Sequence, residues 1–104
     1  MRFYALEKLI NLHDGYRRAF KIDERQLLLL QVAGECYLLE ATCPHRGHPL
    51  DRADVIENSQ LRCPLHGYLF ALDDGRLLAA SEEPCRGLHK YELVYRDTAV
   101  GVML

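Results

Sequence analysis

The chain of 104 residues has no long apolar run. Its most apolar stretch, residues 27–30, is far shorter than the roughly 20 residues that a membrane-spanning helix needs. Residues 1–8 are interrupted by charge and show no apolar segment followed by a small-residue cleavage site, so no secretory signal is expected. These absences predict a protein of the cytoplasm that has no membrane partner.

The chain also lacks an excess of charge of either sign. Its 13 basic and 15 acidic side chains give a formal net charge of −2, which leaves no electrostatic footprint for nucleic acid. Internal repeats and low-complexity linkers are missing too. With 49% apolar and 27% charged residues, we expect one folded domain over residues 1–104.

Helical periodicity is the third missing feature, because no segment keeps an apolar stripe with helical spacing over three turns. Short apolar runs alternate with turn residues instead, which predicts an all-β fold: a small antiparallel β sandwich or barrel. A two-residue hairpin loop is expected at Asn58-Ser59, a three-residue loop ending at Gly75, and at most a short helical turn near residues 51–55. The predicted strands are residues 16–22, 26–32, 37–41, 54–57, 60–62, 68–72, 76–79, 90–95 and 98–104.

The chain has four cysteines, and two of them begin short segments that also contain a histidine. The first segment is Cys43-Pro44-His45, and the second is Cys63-Pro64-Leu65-His66, with 17 residues between His45 and Cys63. In a reducing compartment, clustered cysteines more often bind metal than form disulfides. Cys36 is expected in the core, and Cys85 as a structural or unpaired thiol.

Two thiols and two imidazoles in mixed pairs are the ligand set of a Rieske [2Fe–2S] centre, in which two thiolates bind one iron and two imidazoles bind the other. Neutral imidazoles make the oxidised site less negative than a four-thiolate site. Rieske potentials accordingly lie at about −150 to +300 mV, against about −400 mV for plant-type ferredoxins. A structural zinc site accepts the same donors and is the alternative, although zinc fingers usually pair like with like in each element.

On these motifs the chain resembles the Rieske family, most closely its small bacterial ferredoxins and next the small subunits of assimilatory nitrite reductases. The resemblance implies a Rieske fold with a cluster-binding subdomain at about residues 42–80. It implies one [2Fe–2S] cluster per chain, with Cys43 and Cys63 on the inner iron and His45 and His66 on the outer iron. Residues 81–85 resemble the proline-containing loop that covers the cluster in relatives.

Two departures from the respiratory branch of that family bear on the reduction potential. Where those proteins have two disulfide-forming cysteines, this chain has His48 and Leu65. Where they have a serine that hydrogen-bonds the cluster, it has Tyr68. Fewer hydrogen bonds to the cluster sulfurs stabilise the reduced state less, so we expect a potential in the lower part of the Rieske range.

The resemblance implies a one-electron carrier and no catalytic residue. Its partners would be a flavin-dependent NAD(P)H reductase and a terminal oxygenase or other oxidoreductase, because 104 residues leave no room for a second domain with an oxygen-activating iron site. The alternatives are an accessory subunit of a nitrite reductase-type complex and a zinc-stabilised or redox-sensing binding module.

Overall fold

The computed structural model describes residues 1–104 and forms three antiparallel sheets, which confirms the predicted all-β class. The sheets have the strand orders β1-β10-β9, β2-β3-β4 and β5-β6-β7-β8. A single 3-10 turn, Leu9–Asn11, is the only helical element, and no helix is long and apolar enough to cross a bilayer. The strands are β1 (Phe3–Lys8), β2 (Arg17–Ile22), β3 (Arg25–Val32), β4 (Glu35–Glu40), β5 (Asp54–Ile56), β6 (Gln60–Arg62), β7 (Leu69–Ala71), β8 (Leu77–Ala79), β9 (Val94–Arg96) and β10 (Ala99–Met103).

The central strand β3 explains the densest apolar run in the sequence. Successive side chains of a strand point to opposite faces, so four consecutive buried leucines require packing on both faces. Leu28 and Leu30 pack into the cluster that includes the two motif cysteines. Leu27 and Leu29 pack on the other face with Val100. The sheet β2-β3-β4 is therefore the middle layer between the β1-β10-β9 sheet and the part of the chain that carries both motifs.

Most predicted strands are present within a few residues, and the structure differs from the local predictions at five places. Strand β1 was not predicted because a register shift between Ala5 and Glu7 breaks its alternation. The predicted strand at residues 90–95 is reduced to β9, because the chain at Lys90 makes only an isolated bridge to β4. The β5–β6 loop has three residues, 57–59, rather than two. Residues 51–55 contain no helix, and Cys36 is only partly buried.

The two motifs extend from different sheets, the middle sheet and the third sheet. The first motif follows β4 and the second follows β6, so each begins where a strand ends. The guanidinium of Arg17 donates to the backbone carbonyls of Asp51 (3.2 Å) and Ala53 (2.5 Å), which ties the chain after the first motif to the middle sheet.

Residues 81–88, which we term the covering segment, have no regular secondary structure and pass over the motifs. The backbone N–H of Leu88 donates to the Gly75 carbonyl at 2.6 Å. Gly75 has φ +80°, and any Cβ there would collide with the Leu88 carbonyl, so this crossing requires glycine. Arg86 makes two hydrogen bonds to the Glu40 carboxylate, at 2.7 and 2.8 Å, and fixes the segment to β4.

Candidate metal centre

The first motif forms a tight loop closed by its own backbone. The N–H of Cys43 donates to the His48 carbonyl at 2.8 Å, and the N–H of Gly47 donates to the Cys43 carbonyl at 2.6 Å. Gly47 has φ +70°, a left-handed conformation that glycine adopts without strain. Pro44 fixes φ directly after the cysteine and removes a donor that the loop does not use.

The second motif repeats this construction. The N–H of Cys63 donates to the Tyr68 carbonyl at 2.8 Å, and the N–H of Gly67 donates to the Cys63 carbonyl at 2.9 Å. Gly67 has φ +72°, nearly the value at the corresponding glycine of the first loop. Two loops of the same backbone geometry therefore each present one thiol and one imidazole.

The two motif thiols lie in the buried layer of the site, since Cys43 and Cys63 are almost inaccessible to solvent. Burial, followed by the nearby Cys63 thiol, raises the pKa of Cys43 to about 11, and a backbone hydrogen bond from His45 only partly offsets this rise. The Cys43 sulfur therefore does not ionise cheaply without a cation. A metal that binds thiolates supplies the missing positive charge and displaces the proton.

The two imidazoles form the outer layer. The ring centroids of His45 and His66 are 5.0 Å apart at an interplanar angle of 69°. The His45 ring stacks on the buried Tyr68 ring at 4.3 Å and 12°, and its side chain is 12% exposed. The structure thus brings together all four residues that the sequence predicted as ligands, with sulfur inside and nitrogen towards the surface.

Sequence reasoning missed Glu82, which joins this outer layer. Its Oε1 lies 3.0 Å from Nε2 of His45 and 4.0 Å from a guanidinium nitrogen of Arg46. Ligand atoms of His45, His66 and Glu82 all lie within 4.8 Å of one another. The only sequence signal was the likeness of residues 81–85 to a covering loop, which does not identify the side chain that faces the histidine.

The covering segment makes two more contacts with the site. The hydroxyl of Ser81 donates to the His66 carbonyl at 2.6 Å, and the hydroxyl of Tyr68 donates to the Glu83 carbonyl at 2.5 Å. Cys85 packs, partly buried, against the core cluster that contains the motif cysteines, whereas the Cys36 thiol lies on β4 with Gln31 Oε1 at 3.5 Å. All four cysteines are free thiols.

The donor set fits a binuclear iron–sulfur unit better than one zinc ion. A tetrahedral zinc site with bonds of about 2.0–2.3 Å draws all four ligand atoms to one point. Here the donors that converge within 4.8 Å are the two imidazoles and a carboxylate, and the thiols do not belong to that group. A buried thiol pair below a separate imidazole pair is the arrangement that sulfur ligation of one iron and nitrogen ligation of a second requires.

Comparison with known proteins agrees with this chemistry. The Rieske [2Fe-2S] domain family model matches residues 2–92. The chain is 29% identical over 83 residues, 79% of its length, to the terminal oxygenase component of carbazole 1,9a-dioxygenase from a Sphingomonas species. It is 27% identical over 66 residues, 64% of its length, to the ferredoxin component of an alkene monooxygenase system from Xanthobacter autotrophicus. It spans only 22% of the first relative and 54% of the second.

A solved structure has the same fold over almost the whole chain. The ferredoxin of carbazole 1,9a-dioxygenase from Nocardioides aromaticivorans superposes with a TM-score of 0.82 at 24% sequence identity, covering 98% of this chain and 97% of that one. At this identity the likeness is one of fold. Because the family model covers most of the sequence, the chain belongs to the Rieske [2Fe-2S] domain family, which binds a [2Fe-2S] cluster.

Proposed function

We propose that this chain is a one-electron carrier whose cluster ligands are Cys43, Cys63, His45 and His66. The cysteines bind the inner iron and the histidines bind the outer iron, within a subdomain at about residues 42–80 of a single domain. One observation carries the proposal: two loops of matching backbone geometry place a buried thiol pair below a partly exposed imidazole pair.

When bound, a Rieske cluster accepts and releases one electron at a time. The chain's own residues provide its surroundings. The buried side chains of Leu50, Leu61 and Tyr68 exclude water from the thiol side. Both histidines are partly accessible, so the shortest path for an electron between the site and solvent passes through the imidazole edge.

The proposed donor is a flavin-dependent NAD(P)H reductase, and the proposed acceptor is a terminal oxygenase or another oxidoreductase of the cytoplasm. Support comes from the curated relatives, whose names place them in a dioxygenase and in a monooxygenase system. Encounters of redox proteins are usually small and transient, which suits a small domain with a net charge of −2.

The test is a metal and spectroscopic analysis of the protein purified without oxygen. We expect two irons and two acid-labile sulfides per chain, a brown colour, and after reduction an EPR signal with the low average g value of a Rieske centre. The potential should lie in the lower part of the range of about −150 to +300 mV. Zinc in place of iron, or an EPR signal of the four-cysteine type, would refute the proposal.

A further inference from the structure

The contact between Glu82 and His45 assigns the two nitrogens of one imidazole. An imidazole that binds a metal has one nitrogen left, and a hydrogen bond from that nitrogen fixes the tautomer and the orientation of the ring. Nε2 of His45 lies 3.0 Å from the Glu82 carboxylate. With Nε2 beside this carboxylate, Nδ1 is the nitrogen that remains for iron.

The carboxylate is held in place although 47% of the Glu82 side chain is exposed. Ser81 before it is fastened to the His66 carbonyl, and the Glu83 carbonyl after it accepts the Tyr68 hydroxyl. On both sides of Glu82, therefore, the backbone is fixed to the second loop. The Tyr68 ring also stacks on the His45 ring, so the imidazole is confined by a ring face and by the Glu82 carboxylate at its edge.

The two histidines differ in this respect. The ring of His66 forms no ion pair with a carboxylate, and the contact between the covering segment and His66 uses its backbone carbonyl. A carboxylate beside one outer ligand also acts electrostatically. A nearby negative charge disfavours the addition of an electron, and Arg46, at 4.0 Å, offsets only part of that charge because it is largely exposed.

We infer that Glu82 is a positioning residue of the metal centre: its carboxylate pairs with Nε2 of His45, orients that imidazole for ligation through Nδ1, and lowers the reduction potential. The inference rests on the proposed function, since it assumes that His45 binds the outer iron. It assigns to a residue outside both motifs a role in setting the potential.

Three variants of the cluster-containing protein separate charge from orientation. Glu82→Gln removes the charge and keeps an amide oxygen as acceptor, whereas Glu82→Ala removes both. Glu83→Gln is the matched control, because it makes the same change of charge one residue away and only the backbone carbonyl of Glu83 contacts the site. The measurements are the reduction potential at one fixed pH and the nitrogen hyperfine couplings of the reduced protein by pulsed EPR.

We expect Glu82→Gln to increase the equilibrium constant for reduction at least threefold relative to Glu83→Gln, which is about 28 mV for a one-electron couple. The hyperfine couplings should be unchanged in Glu82→Gln and altered for one of the two histidines in Glu82→Ala. Equal potentials for Glu82→Gln and Glu83→Gln, or unaltered couplings in Glu82→Ala, would overturn the inference. A wild-type protein without a Rieske EPR signal would refute the proposed function itself, so the two failures are distinguishable.

Discussion

The two ligand loops have nearly the same backbone and different surroundings. Each closes with a glycine N–H donating to the cysteine carbonyl and with the cysteine N–H donating to a carbonyl beyond the histidine. The His45 ring, however, lies between Tyr68 and Glu82, while the His66 ring forms no ion pair with a carboxylate. The short motifs thus determine a symmetric pair of loops, and residues from elsewhere make the two imidazoles inequivalent.

The largest expected effect tests the symmetric part of this comparison. Cys43→Ser and Cys63→Ser should each abolish cluster binding, because a hydroxyl does not replace a thiolate on iron and both sulfurs are buried at equivalent places. Iron and sulfide analysis with visible absorbance measures the loss. Cys36→Ser is the control and should keep the full cluster, since its thiol lies near Gln31. A cluster that survives in only one of the two motif variants would show that the loops are not equivalent at sulfur.

The next effect tests the asymmetric part, since Tyr68 belongs to the second loop and packs on the histidine of the first. Tyr68→Ala removes a fully buried ring and should lower the free energy of unfolding by about 3–5 kcal/mol. Tyr68→Phe loses only the hydroxyl that holds Glu83 and should cost about 1 kcal/mol. Denaturant unfolding of the cluster-containing protein gives both values.

The control for Tyr68 is Tyr95→Ala, which truncates a ring that is 58% exposed on the far sheet and should change stability by no more than about 0.5 kcal/mol. If the Tyr68 and Tyr95 variants were equally stable, the stacked ring would not support the first loop, and the difference between the two imidazoles would rest on Glu82 alone.

The matched glycines provide a smaller and more exact comparison. Gly47→Ala and Gly67→Ala each put a Cβ into the left-handed region at a place with open space around it, so only the backbone strain of about 1–2 kcal/mol applies. We expect equal losses of stability in the two variants. Gly75→Ala should cost more, because its Cβ would collide with the Leu88 carbonyl. Unequal losses at the two loop glycines would disprove their equivalence.

The sequence predicted the symmetric features because their causes are local. Each motif combines features that are adjacent in the chain: a Cys-Pro start, a glycine four residues after the cysteine, and strand-forming residues before the loop. The leucines of β3 predicted a strand but not the middle layer between two cores, since the same run suits any buried strand.

The features that sequence reasoning missed depend on distant parts of the chain. Glu82 faces His45 because Ser81, Arg86 and Leu88 anchor a segment without regular structure. Hydrophobic periodicity does not predict which side chain of this segment faces the metal centre. Strand β1 was missed for a related reason, because its register shift is defined by pairing with β10 at the other end of the chain.

The smallest expected effect concerns the pair of Arg86 and Glu40, which anchors the covering segment to β4. Neither residue of this pair belongs to a ligand loop. Burial alone would raise the pKa of Glu40, but hydrogen bonds from Arg86 and the His89 backbone outweigh it and lower the pKa below the ordinary value of 4.5. A lowered pKa means that the ionised carboxylate stabilises the fold at neutral pH and that this contribution is lost as pH falls below about 4.5.

Glu40→Gln should therefore lower the free energy of unfolding by up to about 1 kcal/mol at pH 7, and the difference from wild type should shrink under acid conditions. Denaturant unfolding at several pH values measures it, with Asp54→Asn, at the largely exposed pair with Arg62, as the control expected to change little. If the anchor matters to the asymmetry between the loops, Glu40→Gln should also move the reduction potential in the direction of Glu82→Gln, by less than that variant does. An unchanged potential would show that Ser81 and Tyr68 alone keep Glu82 at His45.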